Sequence, residues 1–163
     1  DIFMMYGLLP IPFRWVMKES LRRVPFMGKA CQMAGFIFVD DQKKGSIKET
    51  MDSARRVLSE GTSIFIFPEG RRTLTGRMDR FKKGGFVLAY ELDVPIIPVS
   101  IDGSYRALRA GGRWVTPTRL TLTIHPPIQI DREGEFPRNM LQALDQVRSS
   151  IASVLPEEQE THS

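Results

Sequence analysis

Hydrophobic residues in this chain gather in short runs separated by polar turns, which is the pattern of strands buried within a sheet. Residues 36–39 and 63–67 form two such runs. A third, residues 94–101, is apolar but contains Pro98, and a proline favours an edge position or a bulge. We therefore predict strands at all three places.

Helical patterns lie between these runs. Ser46 followed by Glu49 is a capping box, so we expect a helix from Ile47 to a C-cap at Gly61. The apolar residues 84–92 predict a second, largely buried helix. Because strands that alternate with helices favour parallel βαβ units, the predicted fold class is α/β. We expect a single domain with a mixed, mainly parallel central sheet flanked by helices.

The C-terminal part carries two clear periodicities. Residues 119–125 alternate between apolar and polar, which predicts a half-exposed strand. Residues 138–155 predict a helix. Its expected apolar face consists of Leu141, Leu144, Val147, Ile151, Val154 and Leu155. We expect one domain over residues 1–155, followed by an acidic tail, residues 156–163, that is predicted to be disordered.

The N-terminal residues 2–17 carry a single charge, and Pro10 and Pro12 prevent one continuous helix. Two interpretations remain open: a buried connector, or an apolar surface that meets lipid, with Tyr6 and Trp15 as interface residues. A stripe of cations accompanies and follows this segment: Arg14, Lys18, Arg22, Arg23 and Lys29. Apolar residues beside such a stripe favour an anionic membrane surface, although an ordinary amphipathic helix has the same pattern.

The amino-acid composition indicates an anionic partner but does not identify it. The net charge is +4 and the sequence pI is about 9.5, which suits nucleic acid, a membrane surface or a phosphorylated metabolite. The single cysteine, Cys31, excludes an internal disulfide, and no Cys/His cluster indicates a metal site. No apolar run reaches the ~20 residues of a membrane-spanning helix. Since the chain starts at Asp1 without a signal peptide, we expect it to be part of a longer protein.

A basic segment follows the strand predicted at residues 63–67. Residues 69–85 contain six cations, namely Arg71, Arg72, Arg77, Arg80, Lys82 and Lys83, against Glu69 and Asp79. Guanidinium groups suit bidentate binding of phosphate, and the four glycines of this segment permit close backbone approach to an anion. A solvated basic loop is the alternative. The order of strand, Pro, acid, Gly and two Arg at a strand end favours a phosphate site.

Several motifs in a fixed order resemble the glycerolipid acyltransferase family. They are Phe67-Pro68-Glu69-Gly70 with Arg72, then Phe81-Lys82-Lys83-Gly84-Gly85-Phe86, then Val94-Pro95-Ile96-Ile97-Pro98-Val99. Upstream matches are Phe13-Arg14-Trp15-Val16, Pro25-Phe26-Met27-Gly28 and Gly35-Phe36-Ile37-Phe38-Val39-Asp40. The resemblance covers most of residues 1–130.

The resemblance implies acyl transfer from acyl-CoA or acyl carrier protein to the free hydroxyl of a lysophospholipid. Lysophosphatidic acid is the expected acceptor, the product is phosphatidic acid for phospholipid biosynthesis, and no cofactor or metal is needed. The family's His-x-x-x-x-Asp motif would end at Asp1, so the catalytic His is expected five residues earlier, with Asp1 orienting it as the base. This chain alone is therefore expected to be inactive. The expected location is the cytoplasmic face of a membrane.

The resemblance also assigns roles within the basic segment. Arg72, with help from Arg71, would hold the acceptor's phosphate, and Glu69 would fix the guanidinium or contact the glycerol. Gly70 and the amides near it are candidates for the oxyanion site. The further candidates for phosphate or donor contacts are Lys82 and Lys83.

Two positions depart from the family pattern. Asp41 stands where the second motif usually has Arg, and Arg71 stands where the third usually has Thr. A degenerate acyltransferase that only binds lipid, or a non-catalytic module for anionic lipid or nucleic acid, therefore remains an alternative. Nucleic-acid binders pair a basic face with exposed aromatics, whereas aromatics here lie inside apolar runs, so we expect no nucleic-acid partner. Neither His125 nor His162 is expected to replace the catalytic base.

Overall fold

The structure, a computed structural model, describes residues 2–9, 11–40, 46–71, 73, 75–107 and 116–156. Its contacts divide the chain into two compact units. We call Leu9–Phe67 the sheet unit, and Asp1–Leu8 together with Pro68–Ser163 the loop unit. The α/β fold class is confirmed.

The sheet unit is a three-stranded parallel sheet with helices. Its elements are β1 (Phe13–Lys18), a 3-10 helix (Glu19–Arg23), α2 (Met27–Met33), β2 (Ile37–Val39), α3 (Ser46–Ser59) and β3 (Ser63–Phe65). The strand order is β2-β1-β3, and α3 contacts both outer strands. As predicted, α3 ends before Gly61, whose φ of +72° is the left-handed conformation of a helix C-cap.

The central strand, β1, was not predicted from the sequence. Its residues pair with both neighbours, for example Val16 with Ile37 and Trp15 with Phe65. The buried-connector interpretation of this segment therefore fits better than a lipid-facing one for Trp15, whose side chain is only 1% exposed. Of the two interpretations left open by the sequence, the structure contradicts the lipid-facing one at Trp15.

Aromatic packing fills the core of the sheet unit. The Trp15 ring lies 4.6 Å from that of Phe65 and stacks on Phe67 at 5.1 Å, while Phe13 meets it edge-on at 5.6 Å, all measured between ring centroids. Phe13 and Trp15 are two residues apart on a strand, so they share one face of the sheet. Cys31, on α2, is buried as a small apolar residue.

The loop unit combines helices with a two-stranded antiparallel sheet. Its elements are α1 (Ile2–Leu8), α4 (Gly84–Leu92), β4 (Val99–Asp102), α5 (Ser104–Ala107), β5 (Thr121–Ile124) and α6 (Phe136–Ala152). Strands β4 and β5 pair with Val99 opposite Ile124, and an isolated bridge joins Ile96 to Ile128.

The prediction for residues 94–101 was wrong in extent and direction. In the described structure only the end of this run is a strand, and β4 pairs antiparallel with β5 instead of joining the parallel sheet. Pro95 and Pro98 have no N–H to give to a ladder, which limits the pairing before residue 99. Pro98 is fully buried and its carbonyl accepts the backbone N–H of His125 at 2.9 Å.

Helices α4 and α6 form the core of the loop unit. Phe86 and Ala89 of α4 pack in one cluster with Met140, Ala143 and Val147 of α6. The predicted apolar face of α6 was right in part: Leu144, Val147 and Ile151 pack in this cluster. Leu141 and Val154, also expected on that face, are 42% and 40% exposed. The predicted disordered tail lies outside the described residues from residue 157 onward.

Candidate functional site

The candidate site is the segment that the sequence analysis singled out, residues 69–83, here called the basic loop. Two of the predicted site residues, Asp1 and Arg72, lie outside the described residues. The described part retains five cations and both acids. The contacts below fall within the loop unit, so they form one local framework.

Glu69 and Asp79 hold the basic loop together through hydrogen bonds. Glu69 Oε2 accepts a hydrogen bond from the backbone N–H of Asp79 at 2.8 Å. Asp79 in turn accepts from Arg71 Nε at 3.0 Å and from the backbone N–H of Arg80 at 2.7 Å. Thus Asp79, which the sequence analysis only counted as an opposing charge, orients the Arg71 guanidinium, while Glu69 holds the Asp79 main chain.

This ion pair shifts both pKa values. The hydrogen bond from Arg71, with that from the Arg80 amide, lowers the pKa of the Asp79 carboxyl. The hydrogen bond to Asp79 and its charge raise the pKa of Arg71, with a smaller contribution from the charge of Glu69. Arg71 stays 71% exposed, so it is oriented by protein and still open to an anion from solvent.

Gly70 brings the Lys82 side chain into the same place. Its φ is +67°, and a Cβ there would lie 2.9 Å from Lys82 Cε and 3.2 Å from Nζ. The Lys82 backbone N–H donates to the Pro68 carbonyl at 2.8 Å. Glycine is favoured at position 70 because the backbone there is left-handed, and an added side chain would also make the flexible end of Lys82 move. The structure therefore brings Gly70 and Lys82 together, beside Arg71 in the chain.

Lys83 has a different position from Lys82. It precedes α4 as the N-cap residue, and its carbonyl accepts the N–H groups of Phe86 and Val87, both at 3.0 Å. The Lys83 side chain is exposed. For this residue, the interpretation as part of a solvated loop remains as open as it was from the sequence.

Two side chains distant in sequence support the basic loop, and sequence reasoning missed both. Arg148 of α6 donates from Nη1 to the Asp79 carbonyl at 2.7 Å, and its guanidinium lies 5.5 Å above the Phe81 ring. The Tyr105 ring lies against Gly76, where a Cβ would be 2.8 Å from a ring carbon. A sequence signal existed for the arginine: it follows Val147 and lies three residues before Ile151, on the side of α6 that turns inward.

His125 is held in a structural hydrogen-bond chain. Its Nε2 lies 2.8 Å from Ser100 Oγ, and that hydroxyl donates to the Ile151 carbonyl at 3.0 Å. With its only proton given to Ile151, the Ser100 hydroxyl must accept from His125 Nε2–H. Ser100 is 1% exposed, so this pair joins β4, the end of β5 and α6 and is not a base with a nucleophile. The His125 ring is partly buried.

Other features of the described residues do not add to the site. A shallow depression of about 870 Å³ is lined by one side of α6, from Arg138 to Ser150, and by Ile128, and it shares no residue with the basic loop. Within the described ranges, no group of three or more His, Cys, Asp or Glu residues is arranged to hold a metal ion. The expectation that no cofactor is needed stays a prediction.

A separate finding concerns membrane spans. None of the helices in the described part of the chain is both long enough and apolar enough to cross a bilayer.

The fold and the loop together define an α/β protein with an exposed, cation-rich loop. The acyltransferase family model matches residues 1–102 of the 163. The chain therefore belongs to the acyltransferase family.

Relatives and a solved structure agree with this placement. A protein named 1-acyl-sn-glycerol-3-phosphate acyltransferase alpha from Mus musculus is 32% identical over 160 residues, covering 96% of this chain and 55% of the relative. A 1-acyl-sn-glycerol-3-phosphate acyltransferase from Limnanthes douglasii is 34% identical over 132 residues, covering 80% of this chain and 47% of the relative.

The solved structure is that of the 1-acyl-sn-glycerophosphate (LPA) acyltransferase PlsC from Thermotoga maritima. It matches with a TM-score of 0.71 and 26% identity, over 94% of this chain and 61% of that one. The chain thus spans about half the length of the curated relatives it matches.

Proposed function

We propose that the protein to which this chain belongs transfers an acyl group from an acyl thioester to the free hydroxyl of lysophosphatidic acid, giving phosphatidic acid. Family membership supports the reaction class, and the relatives' names support the acceptor. The structural observation that carries the proposal is the exposed Arg71, oriented by Asp79 and adjoining the Gly70–Lys82 contact. Such a cluster suits a phosphate monoester.

In the proposed reaction, the acceptor hydroxyl attacks the thioester carbonyl carbon directly. A C–O bond forms, the C–S bond breaks, and the hydroxyl proton passes through a base to the leaving thiolate. We propose that the base is a histidine five residues before Asp1 and that Asp1 orients it. Arg72 and Arg71 bind the phosphate, and amides near Gly70 stabilise the oxyanion. Glu69 acts by holding the loop backbone at Asp79.

The proposed partners follow from this reaction. The acyl donor is acyl-CoA or acyl carrier protein, and the lipid acceptor and product place the protein at a membrane surface, on its cytoplasmic face. We further propose that residues 1–155 act as one acyltransferase domain.

A nucleic-acid partner has less support, because the large rings Phe13, Trp15 and Phe65 pack against one another and leave no stacking platform among them.

A transfer assay with two acceptors tests the proposal. The assay uses the chain extended upstream by its native residues. The donors are labelled acyl-CoA and acyl carrier protein that carries a labelled acyl group, each tested separately. The acceptors are lysophosphatidic acid and monoacylglycerol, which lacks the phosphate. We expect transfer to lysophosphatidic acid only. Equal use of both acceptors, or no transfer to either, would overturn the proposal.

Variants then test the roles of the cations. Arg72→Ala is expected to lower kcat/KM for lysophosphatidic acid by orders of magnitude, and Arg71→Ala about tenfold, since a charge-assisted hydrogen bond contributes ~1.5–3 kcal/mol. Arg138→Ala, which removes an exposed arginine of α6, is the matched control and should leave transfer unchanged. A loss equal to that of Arg71→Ala in the control would refute a specific phosphate clamp.

A further inference from the structure

The sheet unit exposes a small apolar surface that no step of the proposed reaction uses. Phe26 is 93% exposed and Met33 is 81% exposed, and Met27 and Val24 beside them are 47% and 39% exposed. We call these four residues the apolar face. A phenylalanine exposed to this degree is unusual for a large ring, since rings of this size are normally buried.

The side of α2 that carries Lys29 and Met33 is turned away from the buried residues of this helix. Those buried residues are Gly28 and Cys31, and at ~100° per residue Lys29 and Met33 point away from them. Phe26, the N-cap residue directly before α2, is exposed as well. Two large apolar groups and an exposed cation therefore lie on or directly beside one short helix.

The backbone holds Phe26 outward at a cost. Its φ of 63° and ψ of −49° are unusual for a residue with a Cβ. The turn around it is tight, because Gly28 is buried, donates to the Val24 carbonyl at 2.9 Å, and leaves no room for a Cβ beside the Arg22 carbonyl. Backbone strain of this kind collects at functional positions, and a ring displayed by a rigid, strained turn fits such a role.

Cations border the apolar face. Arg23 and Lys29 are both exposed, and Arg23 lies three residues from Phe26, hence within ~10 Å along the chain. Arg22 is engaged within the unit, because it pairs with Glu19 at 3.4 Å and lies over the Phe38 ring at 5.5 Å. Apolar side chains can enter the hydrocarbon part of a bilayer, and cations beside them can pair with lipid phosphates. A surface that has both therefore suits an anionic bilayer.

We infer that the apolar face docks on an anionic lipid bilayer, with Phe26 and Met33 entering the interface and Arg23 and Lys29 meeting lipid phosphates. This inference rests on the proposed function only in that a lipid acceptor requires access to a membrane; the apolar face shares no residue with the basic loop. Insertion of one exposed ring with two bordering cations gives weak and reversible binding, which depends on anionic lipid.

Vesicle co-sedimentation of the 163-residue chain tests the inference without acyl donor or lysophospholipid. Vesicles of phosphatidylcholine alone are compared with vesicles that also contain phosphatidylglycerol, which is neither the proposed acceptor nor its product. We expect binding to the mixed vesicles that falls as salt rises. Equal binding to both kinds of vesicle, or to neither, would overturn the inference.

Two matched pairs of variants locate the surface. Phe26→Ser is expected to weaken binding to mixed vesicles about tenfold, as the loss of one buried aromatic group predicts. Ile124→Ser removes an apolar residue on β5 that is 57% exposed and should have no effect. Arg23→Gln with Lys29→Gln should weaken binding about thirtyfold, at ~1 kcal/mol per cation, whereas Lys48→Gln with Arg56→Gln on α3 should change it less than twofold.

The outcomes separate this inference from the proposed reaction. If the two charge pairs weaken binding equally, the attraction is diffuse and the apolar face is not the docking surface. If Phe26→Ser reduces vesicle binding while transfer to a short-chain, monomeric lysophosphatidic acid is unchanged in the upstream-extended protein, both stand. Vesicle binding that depends on Phe26 in a protein without transferase activity would refute only the reaction.

Discussion

The core of the sheet unit and the basic loop of the loop unit are held in place by opposite means. In the core, the rings of Trp15 and Phe65 meet at 4.6 Å and exclude water. In the basic loop, Arg71 must stay exposed to meet an anion, so burial cannot fix it. Hydrogen bonds to Asp79 and from Arg148 do so instead. A binding loop of this kind is rigid because its main-chain groups are bonded by side chains from elsewhere in the unit.

The largest effect should come from the aromatic core. Trp15→Ala removes a side chain that is 1% exposed and should lower the free energy of unfolding by about 3–5 kcal/mol. Chemical denaturation measures this. Met33→Ala, at a site 81% exposed, is the control and should change it by less than ~0.5 kcal/mol. If the two substitutions cost the same, the ring cluster is not the core of the unit.

Arg148→Ala should have the next largest effect, on the basic loop. It leaves the Asp79 carbonyl without its donor at 2.7 Å, which should cost ~1–3 kcal/mol of unfolding free energy. In a transfer assay of the upstream-extended protein, we expect KM for lysophosphatidic acid to rise several-fold with kcat nearly unchanged. Arg148→Lys should recover part of the KM. A fall in kcat alone would contradict a positioning role.

Gly70→Ala should destabilise the basic loop to a smaller extent. The left-handed φ of +67° alone costs a residue with a Cβ ~1 kcal/mol. The added Cβ would also lie 2.9 Å from Lys82 Cε, so the end of the lysine side chain must move. Gly61→Ala is the matched control, since Gly61 has a φ of +72° but nothing within 4 Å of the added Cβ. The difference between their unfolding free energies isolates the contact with Lys82. No difference would show that the lysine does not rest on Gly70.

The smallest effect is the response of the basic loop to pH. Because the hydrogen bond from Arg71 lowers the pKa of Asp79, the ion pair is complete above the ordinary carboxyl pKa of 3.8 and is lost as pH falls through the lowered value. The Asp79 carboxyl carbon shift in NMR should therefore titrate below 3.8. In Arg71→Gln, the same titration should move upward. An unchanged titration would exclude the ion pair in solution.

The sequence predicted the features that a local pattern decides, and it missed those that depend on contacts between residues far apart in the chain. Helices α3 and α4 were predicted because capping and periodicity are local. Strand β1 was missed because Pro10 and Pro12 obscured the start of a strand and Trp15 fitted a lipid interface as readily as a core. Only pairing with both neighbouring strands identifies it as the centre of the sheet.

The candidate site divides in the same way. Glu69, Gly70 and Lys82 were found because they follow one strand in a recognisable order, and the structure brings the last two together. The partners of the basic loop were not found, since Arg148 contacts residue 79 across 69 positions of chain. Such a contact leaves almost no trace in the local pattern of either segment.

The contact between Arg148 and Asp79 has a practical consequence for choosing where to cut the protein. The family match ends at residue 102, and a minimal version trimmed there would keep every predicted cation of the basic loop. It would nevertheless lose α6, leaving Phe86 and Ala89 bare and the Asp79 carbonyl without its guanidinium. Expression of residues 1–102 by themselves should yield an aggregating product, and the shortest version that keeps α6 and its contacts with the basic loop ends no earlier than residue 152.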